Sequence, residues 1–219
     1  YDTYLADLKE KVKSAEKNLQ KKCETVSAVR KKHADKLVAA VTDALKDLNF
    51  LDVVFEMRFG VLSSYTANGY DDAEFMISTN PGEPVRPLGK VASGGELSRI
   101  MLAIKTVLAD QDEVETLIFD EIDTGISGIT AGKVGDRLRL IGKSRQVICI
   151  THLPQIAATA DHHFLIRKKA EGTSVRTDVE MLDEAASVEE LARLLGGANV
   201  TERVMESAKE LKELAKCER

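Results

Sequence analysis

Glu115-Thr116-Leu117-Ile118-Phe119-Asp120-Glu121 is a short apolar run that breaks off in two adjacent acids. A continuous apolar run of this length, too short for a helix, reads as a strand buried on both faces. Gln146-Val147-Ile148-Cys149-Ile150-Thr151-His152 is a second such run, and it too ends in polar residues. Between them Gly125 and Gly128 break the chain, and Ile129 to Ile141 carries Val134, Leu138 and Ile141 at helical spacing. Strand, helix, strand, with both strands apolar on both faces, predicts a βαβ unit of a buried parallel sheet and an α/β fold.

The carboxyl ends of parallel strands share one edge, and ligands bind there. Asp120-Glu121 and Thr151-His152 both fall at such ends. Two neighbouring carboxylates on a buried strand tip repel each other and are poorly solvated, so they call for a cation, a hydrogen-bond donor or a raised pKa. Mg²⁺ held by Asp120, often through water, with Glu121 orienting an attacking water, is an arrangement used for nucleotide hydrolysis. His152, at the neighbouring strand end, is then placed to reach a γ-phosphate. The alternative is a pair of acids that caps the following turn and a histidine that is structural.

Upstream lies Val91-Ala92-Ser93-Gly94-Gly95-Glu96-Leu97-Ser98-Arg99, followed by the apolar run Ile100 to Leu108. Ser93 and Glu96 have the S-x-x-E spacing of a capping box, so a helix is predicted to start here. Gly94 and Gly95 sit badly in its first turn, since each costs a helix about 1 kcal/mol relative to Ala. A helix start stripped of side chains presents bare N–H groups and a positive dipole end, which suits a phosphate. The competing reading is an ordinary capped core helix.

From Tyr1 to about Leu48 there is no Gly and no Pro. Leu5, Leu8, Val12, Ala15, Leu19, Val26 and Val29 alternate three- and four-residue steps, which is a heptad seam, with polar Lys22 also falling on it. The seam continues as His33, Leu37, Val41, Ala44 and Leu48, where an added four-step makes a stutter. A helix of this length spans about 70 Å and is expected to project and to need a partner helix. Residues 52 to 59 and 73 to 78 read as strands around an Asn68-Gly69 turn, and a proline-rich loop from Asn80 to Gly89 leads to the glycine pair. After His152, a short helix from Pro154 to Ala160 is predicted. Strands from His163 to Lys168 and Val175 to Met181 follow, turning at Gly172, and then helices near Val188 to Leu195 and Thr201 to Lys216. Residues 1–48 therefore form a coiled-coil arm segment and 49–219 a second domain.

Composition narrows the class. Of 219 residues, 43% are hydrophobic and 31% charged, which describes a soluble globular protein with a highly charged part. No apolar run approaches the roughly 20 residues of a membrane span, so no membrane is expected. The first residue is not Met and no signal-peptide pattern follows, which reads as a piece of a longer protein. Three cysteines in no metal-ligand spacing suit a reducing cytoplasm. The net charge of −5 provides no overall attraction to nucleic acid, leaving Arg30-Lys31-Lys32 and Arg167-Lys168-Lys169 as local candidates for DNA contact.

A phosphate-cradling G-x-x-x-x-G-K-[ST] loop is missing. Gly128 to Gly132-Lys133 has one residue too few between its glycines, and Gly142-Lys143-Ser144 has Arg137 where the earlier glycine belongs. Half of a nucleotide site is absent from this sequence.

These residues resemble a known family. Ser93-Gly94-Gly95-Glu96 is similar to the signature motif of ABC-type ATPases, Leu117 to Glu121 to their Walker B strand, and Ile150-Thr151-His152 to their switch histidine. A coiled-coil arm before a signature-bearing half-head resembles the SMC-like branch, in which amino- and carboxyl-terminal halves meet in one head. Ile77 to Glu83, Val91 to Ala103, Asp120 to Gly128 and Thr151 to Ala157 resemble the bacterial DNA-repair members of that branch. The resemblance runs from about residue 50 to the end. It implies a carboxyl-terminal lobe of an ABC-type head, mostly parallel sheet with flanking helices, preceded by a long coiled-coil helix. It further implies ATP and Mg²⁺ as cofactors, and the amino-terminal half of the same protein, a homodimer of ATP-sandwiched heads and DNA as partners, in a nucleoid-associated cytoplasmic protein. Ser93, Gly94, Gly95 and Glu96 would meet the γ-phosphate of ATP on the opposing head, Asp120 would serve Mg²⁺, Glu121 would be the catalytic carboxylate, and His152 would sense the γ-phosphate. The implied activity is ATP hydrolysis in recombinational repair of double-strand breaks, only with the amino-terminal half present. Many such heads carry Asp six residues after the catalytic Glu; here that position is Ser127. A transporter ATPase subunit and a non-enzymatic coiled-coil scaffold are the alternatives, and the projecting coil argues against the first.

Overall fold

The computed structural model describes residues 2–90, 93–109, 113–171 and 174–217, apart from the side chains of 170, 171 and 174. The chain packs as two compact units, 1–46 with 50–91, and 47–49 with 92–219.

In the first unit α1 runs Asp2–Asp47 without a break, as expected of a stretch lacking Gly and Pro. An antiparallel sheet follows in the order β1 (Val54–Thr66), β2 (Gly69–Ser78), β3 (Arg86–Pro87). The β1–β2 hairpin turns at the predicted Asn68-Gly69, with Gly69 at φ +101°, a conformation that favours glycine. Both strands are longer than their sequence signals, because pairing from Val54↔Ser78 to Val61↔Asp71 carries β1 on past its apolar stretch.

The hairpin changes the account of the arm. Cys23, Ser27, Ala34, Val41, Ala44 and Leu45 form a buried line along α1. Arg30 reaches the Asp71 carboxylate at 2.9 Å, and the Lys31 ammonium lies 5.8 Å from the centre of the Phe59 ring. Around Arg30 and Lys31, α1 is thus met by its own hairpin and is not a bare helix. Residues 2–22 are exposed throughout, and the seam residues Leu5, Leu8, Val12, Leu19, Val26 and Val29 all remain open. Beyond the stutter the seam residues Val41, Ala44 and Leu48 are buried. Two members of the Arg30-Lys31-Lys32 cluster are engaged by the hairpin, which weakens that cluster as a free basic patch. Strands β1–β3 group with α1 in the first unit.

In the second unit α2 (Gly94–Val107) is followed by β4 (Thr116–Phe119), α3 (Gly128–Gly142), β5 (Gln146–Cys149) and the short α4 (Pro154–Ala157). β4 and β5 pair in parallel from Thr116↔Gln146 to Phe119↔Cys149, the predicted βαβ unit. Among the described residues parallel pairing is confined to these two strands. Ile100, Leu102, Ala103 and Ile104 of α2, Leu117 and Phe119 of β4, and Ala131, Val134, Leu138 and Ile141 of α3 are buried. The strands were expected to be buried on both faces, yet Ile118 is 67% and Ile148 45% exposed. Apolar residues made for a two-sided sheet are covered on one side only.

β6 (Phe164–Glu171) and β7 (Ser174–Met181) pair antiparallel as expected; the Gly172 turn lies outside the described residues. The helices α5 (Glu184–Gly196) and α6 (Glu202–Cys217) close the chain. Leu191, Ala192 and Ala208 form a small core with Ala157 and Ala158. No described helix is long and apolar enough to cross a membrane.

Candidate functional site

The start of α2 and the tips of β4 and β5 come together in the second unit. Ser93 caps α2: its backbone is extended, and its hydroxyl accepts from the Glu96 amide at 3.4 Å. Only the serine half of the expected capping box forms among the described residues. The amides of Gly94 and Gly95 belong to the orphan N–H groups of a helix start and stand at its positive dipole end. Gly94 is exposed and Gly95 buried.

The glycines answer a packing demand that the sequence reading missed. A Cβ on Gly95 would lie 2.8 Å from Thr124 Cβ and 2.9 Å from the Glu121 carbonyl oxygen, and one on Gly94 would lie 2.5 Å from Glu121 Oε2. The signature-like helix therefore sits directly on the loop that follows β4. Ser98 donates to the Asp120 carbonyl at 2.8 Å, and the buried Arg99 guanidinium donates to the carbonyls of Ile122 at 3.2 Å and Thr124 at 2.8 Å. Neither Ser98 nor Arg99 was singled out from the sequence; the one local sign was an arginine adjoining an apolar run.

Asp120 and Glu121 occupy the tip of β4, and both are exposed. The expectation that they would be poorly solvated fails because the strand tip opens to solvent. Asp120 Oδ1 accepts from the Glu121 amide at 2.9 Å. Glu121 has φ +56°, a left-handed conformation costing a non-glycine residue about 1–3 kcal/mol and found where a side chain must be aimed. No group of three or more metal-ligating side chains exists among the described residues. Mg²⁺ takes one or two carboxylates together with water and substrate phosphates, and the exposed carboxylates of Asp120 and Glu121 are the donors at this tip.

At the tip of β5 the His152 ring is exposed, and its Nδ1 lies 2.9 Å from Asp123 Oδ2. The same oxygen accepts from the Thr151 hydroxyl at 2.6 Å and from the His152 amide at 2.8 Å. Asp123 is buried and was overlooked as a site residue, because nothing in its neighbourhood in sequence marks it. Burial, with the negative charges of Asp123 and Asp120, pushes the Cys149 thiol up to about 12, so this cysteine stays protonated and unreactive. Gly94 and Gly95 at the start of α2 thus meet Glu121 and Thr124 of the loop after β4, and Asp123 of the same loop holds Thr151 and His152 at the tip of β5.

No protein-family model matches the chain. It is 42% identical to the DNA repair protein RecN of Halalkalibacterium halodurans over 218 residues, covering 98% of this chain and 39% of that protein. It is 51% identical to the DNA repair protein RecN of Treponema pallidum over 143 residues, covering 65% of this chain and 25% of that one. In fold it resembles the Smc head domain with a coiled coil and joint from Pyrococcus yayanosii, with a TM-score of 0.50, 18% identity, and coverage of 87% of this chain and 36% of the other. Fold and motif order together define the carboxyl-terminal lobe of an ABC-type ATPase head preceded by a long coiled-coil helix. Within that class the chain belongs to the RecN family and corresponds to the carboxyl-terminal part of its members. It spans about two fifths of the length of the H. halodurans relative.

Proposed function

We propose that this chain is the signature-bearing half of an SMC-like ATPase that acts in bacterial recombinational repair of DNA double-strand breaks, coupling ATP-driven head dimerisation to DNA tethering. The single observation that carries the reading is the direct seating of the α2 start on the loop bearing Glu121, with Gly95 against Glu121 O and Thr124. A helix start offered to one phosphate and a carboxylate serving another are thereby held as one rigid piece.

On this reading the Ser93 hydroxyl and the Gly94 and Gly95 amides, with Glu96 beside them, bind the γ-phosphate of ATP carried by an opposing head. Asp120 would hold Mg²⁺, which when bound neutralises phosphate charge. Glu121 orients the attacking water and accepts its proton, and His152 contacts the γ-phosphate of its own head. The amino-terminal half of the protein supplies the phosphate-cradling loop, covers the open Ile118 and Ile148 face, and provides the helix that closes the exposed seam of α1. Residues 1–48 then form the arm and 49–219 the lobe of a homodimeric, nucleoid-associated cytoplasmic protein. With an acidic balance overall, DNA contact is local and steeply salt-dependent.

The test is reconstitution of the two halves followed by an ATPase assay with and without DNA. This chain alone is expected to hydrolyse no ATP, and Glu121→Gln in the reconstituted protein to accumulate an ATP-bound dimer. Robust magnesium-dependent hydrolysis by the chain by itself would overturn the proposal. Unimpaired repair in cells carrying Glu121→Gln would favour a purely scaffolding head instead.

A further inference from the structure

The switch histidine is held by a residue with no role assigned so far. Asp123 Oδ2 takes three donors at once, the Thr151 hydroxyl at 2.6 Å, the His152 amide at 2.8 Å and His152 Nδ1 at 2.9 Å. The Asp123 side chain is only 4% exposed, whereas that of His152 is 73% exposed. An exposed ring is therefore held at one nitrogen by a buried carboxylate. An ionised carboxylate only accepts hydrogen bonds, so Nδ1 must carry the proton. Nε2, which takes no partner among the described residues, is then the nitrogen left for a ligand.

Asp123 is itself fixed from α2. Arg99 donates to the carbonyls of Ile122 and Thr124, the residues on either side of Asp123. The loop also closes on itself, the Ile126 amide donating to the Asp123 carbonyl at 3.4 Å. A continuous set of bonds thus runs from the helix that begins at Ser93 and Gly94, through Arg99 and the Ile122–Thr124 backbone, to the ring of His152. A shift of α2 moves the carboxylate that aims the ring.

We propose that Asp123 is a positioning residue: it holds His152 in the Nδ1–H form with Nε2 presented to the phosphate, and through Arg99 it ties that orientation to the start of α2. The catalytic consequence rests on the function proposed above, but the hold on the ring does not. With the proton on Nδ1, a neutral ring offers the phosphate side only a lone pair at Nε2. Donation from Nε2 to a phosphate oxygen requires the imidazolium, in which both ring nitrogens carry protons.

The test is ¹⁵N spectroscopy of the full chain labelled at histidine. There are 4 histidines, and His152→Ala assigns the relevant one. Protein at a pH where the ring is neutral should show His152 with its proton on Nδ1. The Nε2–H form in the unmutated chain overturns the proposal, and this measurement needs no variant at Asp123 to fold. Asp123→Ala should release the ring to a mixture of both forms, while Thr151→Val, which removes a neighbouring donor, should leave Nδ1–H dominant. In the reconstituted enzyme Asp123→Ala should lower kcat about 10- to 100-fold, the range for removing a partner that orients a functional histidine, with KM little changed. Combining it with His152→Ala should cost no more than His152→Ala alone, and multiplying losses would refute positioning. If the unmutated reconstituted protein hydrolyses nothing, the ATPase reading fails, and the ring spectrum still decides the role of Asp123.

Discussion

Replacing Gly95 by alanine adds one methyl group where α2 meets the Asp120–Thr124 loop. That carbon would stand 2.8 Å from Thr124 Cβ, 2.9 Å from the Glu121 carbonyl oxygen and 3.1 Å from the Thr124 carbonyl oxygen. Carbon atoms settle at about 3.5–4.0 Å, so the helix start or the loop must retreat. Two of the three neighbours are backbone atoms, which no change of rotamer can move aside. Overpacking of this kind costs about 1–3 kcal/mol. Gly94→Ala is the matched control, because its Cβ meets a single close atom, Glu121 Oε2 at 2.5 Å, at the end of an exposed side chain that can swing away. Both changes gain helix propensity of up to about 1 kcal/mol, and this term cancels between them to first order. Gly95→Ala should therefore be less stable than Gly94→Ala by about 1–3 kcal/mol in urea unfolding. In thermal unfolding this is a gap of about 2–4 °C per kcal/mol for a domain of this size. Gly94→Ala should keep wild-type stability or exceed it, yet lose hydrolysis in the reconstituted protein, because the displaced group is the Glu121 carboxylate. Equal stabilities, or Gly95→Ala the more stable of the two, would refute the claim that the glycines serve the contact between α2 and the loop.

Two further outcomes test the first unit. Hydrogen bonds from Ser27 and Arg30, with the positive charges of Arg30 and Lys31, hold the Asp71 carboxyl below the usual carboxylate range. A depressed folded-state value means that the stabilisation is complete above the unfolded value, about 3.9, and is lost as pH falls below it toward the folded value. Asp71→Asn removes that component, so acid unfolding curves of variant and wild type should differ near neutral pH and converge as pH falls through the depressed folded-state value; curves offset equally at every pH would contradict the assignment. Along α1, Leu45→Ala removes a fully buried side chain and should cost about 2–5 kcal/mol. Val12→Ala, on the exposed part of the seam, should leave the stability of this chain unchanged, and a comparable loss at both positions would mean that α1 is covered along its whole length.

Much of this architecture was readable before any coordinates. The unbroken α1, the βαβ unit from Thr116 to Cys149, the hairpin around Gly69 and the terminal helices follow from periodicity and turn residues, because hydrogen bonds within a helix or across a tight turn join neighbours in sequence. Asp120, Glu121 and His152 were legible for a related reason: a polar residue that ends an apolar strand falls at the edge where ligands bind. Cover was harder to read. The heptad seam showed that α1 has an apolar face but not that a hairpin would meet it at Arg30 and Lys31. The runs at β4 and β5 showed two apolar faces without showing that one would stay open in this chain.

What the amino-acid sequence determined by itself is thus the set of elements and the polar residues that end its parallel strands. Tertiary structure alone decided that Gly95 must lack a side chain to clear Thr124, that Arg99 clasps the loop after β4, and that Asp123 rather than a nearer acid holds His152. The reason is register. The pairing of Phe119 with Cys149 sets the Asp123 carboxylate beside the tip of β5, and a relation between residues 29 positions apart leaves no periodic trace in either stretch.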